Sequence, residues 1–462
     1  MAYMRAIITK KKQGAKPTKL YTIRESEFEE TLKDQTDYVK NYVQTRRGTK
    51  KAGEHFLIRD QKGKLEEVIF ITEDKINIWS FASLPKKLPL GDYEIANELT
   101  DHEALDAVCG WELGTYSFNK YKSEACEFSK LVPPKNANVA EAEIIVSNIE
   151  LARDLINMPP SDLGPRELAN TAIEVAQACK ARYFLFTDSE LLQHGYEAIY
   201  TVGKGSAKRP KLLDIRWGNE HAPKVTIIGK GVTFDTGGVN LKPDSGMLLM
   251  KKDMAGAATA LALGRMIMQS KLNVNLRIMI PTVENAVSGE AYRPSDVIKT
   301  RAGITVEVTN TDAEGRLILC EPLAEADSEK PDLLIDFATL TGAARTAVGS
   351  EIGAFLTYDE KLAAEIMHHS IEKKDPLWQL PFWDDYKYLL RSKVADLVNS
   401  PETGNGGAIT AALFLKEFVK KTKSWVHFDM MCWNTRERPG RPVGGEPMAL
   451  RAMFSLIKKR YS

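Results

Sequence analysis

Apolar runs of strand length alternate with helical segments over most of the second half of the chain. The strand-like runs cover residues 225–228, 274–280, 306–308 and 333–337, and the helical ones cover residues 255–268 and 317–326. Buried strands that alternate with helices are typical of an α/β sheet whose core strands are largely parallel. We therefore predict an α/β fold with a central mixed, largely parallel sheet flanked by helices.

A proline-rich polar segment, VPPKNAN at residues 132–138, interrupts this pattern and marks a boundary. Shorter strand-like runs and charged helical stretches precede it, and one long apolar-faced helix over residues 139–158 follows it. We predict a smaller N-terminal α/β domain at residues 1–138, a linker helix and junction at 139–164, and a larger C-terminal α/β domain at 165–462.

The composition is that of an ordinary globular protein. Of the 462 residues, 43% are hydrophobic, and 63 Lys and Arg oppose 62 Asp and Glu, giving a net charge of +1. This excludes intrinsic disorder and a small disulfide scaffold, and it argues against a protein that binds nucleic acid through a global positive field.

The cysteines and the apolar runs bear on the compartment. Five cysteines without a CxxC pair fit a reducing environment. We find neither a signal-peptide core nor an apolar run long enough to span a bilayer, so we expect a cytoplasmic protein without a membrane segment.

Four carboxylates lie in two glycine-containing loops that follow predicted strands. Asp235 and Asp253 come after the strand at 225–228, and Asp312 and Glu314 come after the strand at 306–308. Carboxylates suit divalent ions, and two ions that share carboxylates would generate a nucleophile near neutral pH. The same residues also fit N-capping and turn-forming aspartates paired with lysine and arginine. Spacing alone leaves both interpretations open.

Several longer motifs occur in one order along residues 155–450. They are GKGVTFDTGGVNLK at 229–242, MKKDMAGAA at 250–258, PTVENAVSGEAYRPSDV at 281–297, NTDAEGRL at 310–317 and ATLTGA at 338–343. In order and spacing these motifs resemble the leucyl aminopeptidase, or cytosol aminopeptidase, family.

The resemblance implies that the C-terminal domain is a metal-dependent aminopeptidase. Such an enzyme releases leucine-like N-terminal residues, with broad specificity, from peptides through a water activated by two divalent ions, Mn²⁺ or Zn²⁺. Carried over from the family, Asp235 and Glu314 would bridge the ions. Lys230 and Asp253 would complete the tighter site, and Asp312 the more exchangeable one.

The resemblance also implies roles for residues around the ions. Lys242 would stabilise the oxyanion of the tetrahedral intermediate, and Arg316 would hold a bicarbonate ion that relays protons. Met250, Thr339 and Gly342 would line the pocket for the substrate side chain. The family further implies a cytoplasmic homohexamer, built as a dimer of trimers, that acts on peptides.

Some positions depart from the family pattern. Lys252 stands before Asp253 where the family commonly has a small residue, and residues 434–447 differ from the best-known members. These departures indicate a divergent, bacterial-type branch and leave the substrate preference open.

Two other functions are weighed beside the aminopeptidase. A nucleic-acid-associated regulator would use the basic stretches at 46–51 and 204–211. A dimetal phosphatase is compatible with the carboxylates alone.

Overall fold

The computed structural model describes residues 4–8, 16–46, 48, 50–122 and 126–462, which form two compact units. Unit 1 comprises Met1–Ser147 with Arg436–Val443, and unit 2 comprises Asn148–Thr435 with Gly444–Ser462. A short segment from late in the chain therefore belongs to the N-terminal unit. Two positions of the basic stretch at 46–51, residues 47 and 49, lie outside the described residues.

Unit 1 contains a five-stranded sheet in the order β2-β3-β1-β4-β5, in which only β2 and β3 are antiparallel. Its strands are β1 (Thr18–Arg24), β2 (His55–Arg59), β3 (Leu65–Thr72), β4 (Asp92–Ile95) and β5 (Lys130–Val132). Its helices are α1 (Phe28–Lys33), α2 (Asp37–Thr45), α3 (Leu84–Lys87) and α4 (Asp101–Leu113), with a 3₁₀ turn at Glu25–Glu27.

Sequence signals explain the local structure of unit 1. Thr100 and Glu103 form a reciprocal capping box at the start of α4, which satisfies two otherwise unpaired backbone N–H groups. Phe28 of α1 stacks on Phe56 of β2, with ring centroids 6.0 Å apart, in a small apolar core. Helix α5 (Val139–Asn157) follows.

Unit 2 contains a nine-stranded mixed sheet and two small sheets. Its first strands are β6 (Arg182–Thr187), β7 (Lys211–Gly218), β8 (Lys224–Gly229), β9 (Gly231–Asp235), β10 (Asn275–Asn285), β11 (Val297–Lys299) and β12 (Thr305–Glu307). The remaining strands are β13 (Leu333–Ala338), β14 (Gly353–Leu356), β15 (Leu377–Gln379), β16 (Leu397–Val398), β17 (Trp425–Asp429), β18 (Trp433–Asn434) and β19 (Gly444–Gly445).

The helices of unit 2 are mostly short. They are α6 (Pro165–Ala178), α7 (Asp188–Gln193), α8 (Glu197–Gly203), α9 (Asp244–Met247), α10 (Ala255–Gln269), α11 (Glu314–Ser328), α12 (Gly342–Val348), α13 (Glu360–Glu372), α14 (Gly407–Lys416) and α15 (Leu450–Tyr461). Two 3₁₀ segments lie at Met250–Met254 and Asp384–Leu390. No helix among the described residues combines the length and apolar character needed to cross a bilayer.

The large sheet confirms the predicted fold class. Its order is β15-β14-β17-β13-β8-β10-β7-β6, with β9 paired to β10, and the strands β17, β13, β8 and β10 run parallel. The predicted strand near 306 forms as β12, but it belongs to a three-stranded sheet with β11 and β16. Strands this short contribute few ladder hydrogen bonds and need not extend the central sheet.

Helix α10 packs tightly on the central sheet because its first turns are built from small residues. A side chain at Gly256 would overlap the carbonyl oxygen of Phe337 in β13, so only glycine allows this approach. The helix directly follows the 3₁₀ segment Met250–Met254. The close packing therefore fixes that segment beside the carboxyl ends of the parallel strands, where α/β folds bind ligands.

Candidate metal centre and active site

Four buried or half-buried carboxylates surround two lysine side chains at the carboxyl ends of these strands. Lys230, just after β8, places its Nζ 2.8 Å from Asp253 Oδ2 and 2.8 Å from Glu314 Oε1. Lys242 places its Nζ 2.8 Å from Asp235 Oδ2 and also pairs with Asp312. Each ammonium thus serves two carboxylates from different loops.

Three of the carboxylates can converge on one ion. Asp235, Asp312 and Glu314 each offer an oxygen, and these oxygens lie within 4.8 Å of one another. Asp235 ends β9, whereas Glu314 begins α11. The sheet order and the loop after β12 therefore bring together residues that are distant in sequence.

The turn after β9 holds Asp235 in place. Its Oδ1 accepts hydrogen bonds of 2.8 Å from the backbone N–H of Gly237 and 2.8 Å from Asn285 Nδ2. Gly237 has φ +89° and Gly238 has φ +64°, values that glycine adopts without strain. A side chain at Gly238 would also meet Thr311, so the two loops can approach only because this residue is glycine.

Asp253 is fixed from the opposite side by the loop after β13. Thr339 Oγ1 donates to Asp253 Oδ1 at 2.7 Å, and the Lys230 Nζ donates to the Thr339 carbonyl at 3.2 Å. These bonds tie the ends of β8 and β13 to the 3₁₀ segment. These contacts orient the Asp253 carboxylate toward Lys230.

The electrostatics of the cluster favour additional positive charge. Burial and the neighbouring carboxylates raise the pKa of Glu314 and of Asp235 above their ordinary values, although the lysines oppose this. Burial alone would lower the pKa of Lys230, but Asp253 and Glu314 raise it. Crowded buried carboxylates of this kind are stabilised by cations between them.

A cavity of about 350 Å³ adjoins the cluster. The predicted pocket residues Met250, Thr339 and Gly342 all line it, as does Arg316. The Arg316 guanidinium is buried and donates to the carbonyl of Asn399. Burial lowers the pKa of Arg316 to about 10. Within the described part of the chain it forms no ion pair with a carboxylate.

Sequence reasoning missed the residues that hold these loops. Asn285 Nδ2 donates to the Thr311 carbonyl at 3.0 Å as well as to Asp235, which links the loop after β9 to the loop after β12. Asn399 Nδ2 donates to the Asn310 carbonyl at 2.7 Å. Asp429 accepts from the backbone N–H groups after β13. A polar residue at the end of an apolar strand was the available signal for Asn285 and Asp429.

An α/β sheet that gathers buried carboxylates and lysines beside a polar cavity is typical of a metal-dependent hydrolase. Comparison with known proteins defines the class further. Residues 150–453 match the model of the cytosol aminopeptidase family, catalytic domain, and residues 18–134 match that of the M17 aminopeptidase N-terminal domain.

Individual relatives agree with these models. The probable cytosol aminopeptidase of Geobacter sp. (strain M21) is 39% identical over 75% of this chain and 74% of its own. The probable cytosol aminopeptidase of Cenarchaeum symbiosum (strain A) is 36% identical over 78% of this chain and 76% of its own. The crystal structure of cytosol aminopeptidase from Coxiella burnetii superposes with a TM-score of 0.93, at 42% identity over 99% of both chains.

A more distant structure holds a metal. The bottromycin maturation enzyme BotP in complex with Mn has a TM-score of 0.85 at 28% identity, over 96% of this chain and 100% of its own. The chain belongs to the cytosol aminopeptidase family and is a metal-dependent aminopeptidase, as the motifs predicted. The match to the N-terminal model adds a relationship that the motifs did not reveal.

Proposed function

We propose that Lys230, Asp235, Asp253, Asp312 and Glu314 hold two divalent ions, Mn²⁺ or Zn²⁺, with which the protein removes N-terminal residues from peptides. The observation that carries the proposal is the convergence of three carboxylate oxygens within 4.8 Å. Carboxylates with one lysine amine form a hard donor set that fits such ions. In this assignment Asp235 and Glu314 would help to hold both ions.

Bound ions would supply Lewis acidity and make a water nucleophilic near neutral pH. The chain's own residues would prepare the site for them. Lys230 must give up a proton to become a ligand, and Asp253 and Glu314 at 2.8 Å from its Nζ are the groups that hold that proton in the metal-free protein. Thr339 keeps Asp253 turned toward the site.

Two basic side chains would act on the substrate. Lys242 is partly open to the cavity, so its ammonium is placed to stabilise negative charge that develops on the substrate carbonyl oxygen. Arg316 is a buried cation at the cavity wall without a carboxylate partner among the described residues, which suits a small anion. We propose that it holds bicarbonate, which would relay protons.

The free amine of the substrate would bind at the carboxylate cluster, and its side chain would enter the part of the cavity lined by Met250, Thr339 and Gly342. A blocked amine could not bind in this way. The enzyme would therefore remove residues only from the N-terminus of a peptide.

We also propose a cytoplasmic homohexamer built as a dimer of trimers. The support is family membership together with the word cytosol in the names of the relatives. Size-exclusion chromatography with light scattering tests the assembly, and a mass of about one chain in active preparations would contradict it.

The catalytic proposal is tested with the Mn²⁺- and Zn²⁺-loaded full-length protein. We expect hydrolysis of leucyl-p-nitroanilide, its loss with a chelator, and about two ions per chain by mass spectrometry of the metal content. N-acetyl-leucyl-p-nitroanilide controls for the free amine, and p-nitrophenyl phosphate tests the phosphatase alternative. Equal hydrolysis of the acetylated and free substrates would refute the proposal.

A further inference from the structure

The cavity beside the carboxylate cluster contains basic side chains that form no ion pair with the cluster among the described residues. Its acidic lining residues are Asp235, Asp253, Asp312 and Glu314. All four pair with Lys230 or Lys242. Lys252 and Arg345 also line the cavity. Among the described residues neither of them forms an ion pair.

Lys252 is an unusual residue for its position. It lies in the 3₁₀ segment Met250–Met254 and is only 4% exposed, although lysine is rarely buried without a partner. The residues on either side, Lys251 and Asp253, each have a partner: the first donates to the Asn157 carbonyl and the second pairs with Lys230. Lys252 has no ion pair or side-chain hydrogen bond among the described residues, and Asp253 acts on it only through its charge.

Arg345 approaches the same end of the cavity from another element. It lies in α12, two positions after Ala343, and its Nη1 is 3.6 Å from the sulfur of Met431, which lines the cavity. A Cβ on Gly342 would lie 3.8 Å from Arg345 Nη2. The guanidinium therefore borders the region that we assign to the substrate side chain.

The two basic residues act on one region. Burial lowers the pKa of Lys252; the nearby Asp253 and Cys432 oppose this, whereas the positive charges of Lys230 and Arg345 add to it, so Arg345 is close enough for its charge to act on Lys252. Lys252 shares a 3₁₀ segment with Met250, as Arg345 shares a helix with Gly342. Two basic side chains thus flank a pocket that the family resemblance assigns to leucine-like side chains.

We propose that Lys252 and Arg345 bind the side-chain carboxylate of an N-terminal glutamate or aspartate, so that the enzyme prefers peptides that begin with an acidic residue. This inference rests on the proposed aminopeptidase function. A carboxylate between the two basic side chains would supply the ion pair that neither forms among the described residues, and charge-assisted hydrogen bonds from arginine and lysine are among the strongest in proteins.

The test compares glutamyl- and glutaminyl-p-nitroanilide, which differ in charge but hardly in shape, with leucyl-p-nitroanilide alongside. An anilide has no C-terminal carboxylate, so a preference reports the side chain alone. For the Mn²⁺-loaded wild-type enzyme we expect kcat/KM for the glutamyl substrate to exceed that for the glutaminyl substrate by about tenfold or more.

Substitutions assign the preference to the two residues. K252M and R345M should each lower the glutamyl-to-glutaminyl ratio of kcat/KM several-fold, whereas K361M, at an exposed lysine of α13, should keep the wild-type ratio. R345E changes an exposed residue and should favour lysyl- over norleucyl-p-nitroanilide relative to wild type. It keeps the inference testable if K252M does not fold.

The outcomes separate this inference from the function on which it rests. Cleavage of the leucyl substrate with a glutamyl-to-glutaminyl ratio near or below one would overturn the acidic preference and leave the aminopeptidase intact. Ratios in K252M and R345M equal to wild type would also overturn it. If only dipeptides, and not anilides, lost activity in these variants, the bound carboxylate would be the C-terminal one and the inference would be wrong. Failure to cleave any aminoacyl substrate would refute both proposals.

Discussion

Replacing Glu314 with glutamine should separate the stability of the metal-free protein from its affinity for metal. The carboxylate is buried, lies 2.8 Å from Lys230 Nζ and can share an ion with Asp235 and Asp312. Its environment raises its pKa, which means that the folded protein disfavours the charged form. A neutral amide of the same shape should therefore leave the metal-free protein at least as stable as wild type.

The metal-loaded protein should respond in the opposite direction. Residues that merely support metal ligands contribute about 10–100-fold to affinity, so losing a bridging ligand should cost ~100-fold or more. At an Mn²⁺ concentration 100 times the wild-type Kd, binding stabilises wild type by ~2.7 kcal/mol, whereas a variant with 100-fold weaker affinity gains only ~0.4 kcal/mol. At ~2 °C per kcal/mol, Mn²⁺ should raise Tm by about 5 °C in wild type and about 1 °C in E314Q.

The assay is thermal unfolding of the chelator-treated protein with and without added Mn²⁺. E174Q, at an exposed glutamate of α6, is the matched control and should show the wild-type shift. A full Mn²⁺-dependent shift in E314Q would refute the assignment of Glu314 as a ligand. A metal-free E314Q that melts well below wild type would refute the electrostatic argument.

Three further predictions concern residues outside the ligand set. Glu321 is buried and its pKa is raised to about 8, mainly by burial, so the folded state retains a proton that the unfolded state loses from about pH 4.5 upward. Between pH 5 and pH 8 the free energy of unfolding of wild type should fall relative to that of E321Q by up to ~1.4 kcal/mol per pH unit, as measured by denaturant unfolding. If the free energies of the two proteins changed in parallel with pH, this prediction would be wrong. G256A should destabilise by ~2 kcal/mol or more, because the new methyl meets the backbone of β13, whereas G289A, with open space around it, should not; equal Tm values would count against the packing argument. D429A should weaken the loop after β13 and raise KM for leucyl-p-nitroanilide several-fold with metal content unchanged, and an unaltered KM would exclude this positioning role.

Much of the fold of unit 2 could be predicted from hydrophobic periodicity. The apolar runs near 225, 274 and 333 become the parallel strands β8, β10 and β13, because each is long enough and apolar enough to be buried on both faces. The run near 306 is also apolar, but it forms a strand, β12, that pairs with β11 over only three residues. Periodicity predicts that such a segment is a strand, and tertiary pairing decides which sheet it joins.

The candidate site depended on motif resemblance more than on spacing. The sequence left open whether the aspartates bind metal or pair with lysine and arginine, and in the structure they pair with Lys230 and Lys242. The two interpretations concern the same residues, because an ammonium and a metal ion satisfy the same crowded carboxylates. The spacing of the carboxylates along the sequence therefore cannot tell whether a lysine ammonium or a metal ion balances their charge.

The basic end of the pocket could not be predicted in this way. Whether Lys252 and Arg345 have ion-pair partners among the described residues depends on their neighbours in three dimensions, because about 90 residues, including strands β10 and β13, separate their elements in sequence. The departure of Lys252 from the family pattern was visible, but its meaning required the observation that every nearby carboxylate already has a partner.

The charge of the cavity explains how one site can hold cations and still bind anions. Five basic and four acidic side chains line it, a formal sum of +1 that equals the charge of the whole chain only by coincidence. All four carboxylates pair with Lys230 or Lys242, whereas Lys252, Arg316 and Arg345 form no ion pair among the described residues. Two dications at the carboxylates would make the whole cavity strongly positive, which favours a bound anion, an oxyanion on the substrate and an acidic side chain at once. The pairing of the charges within the cavity, rather than their sum, is therefore what would select the substrate.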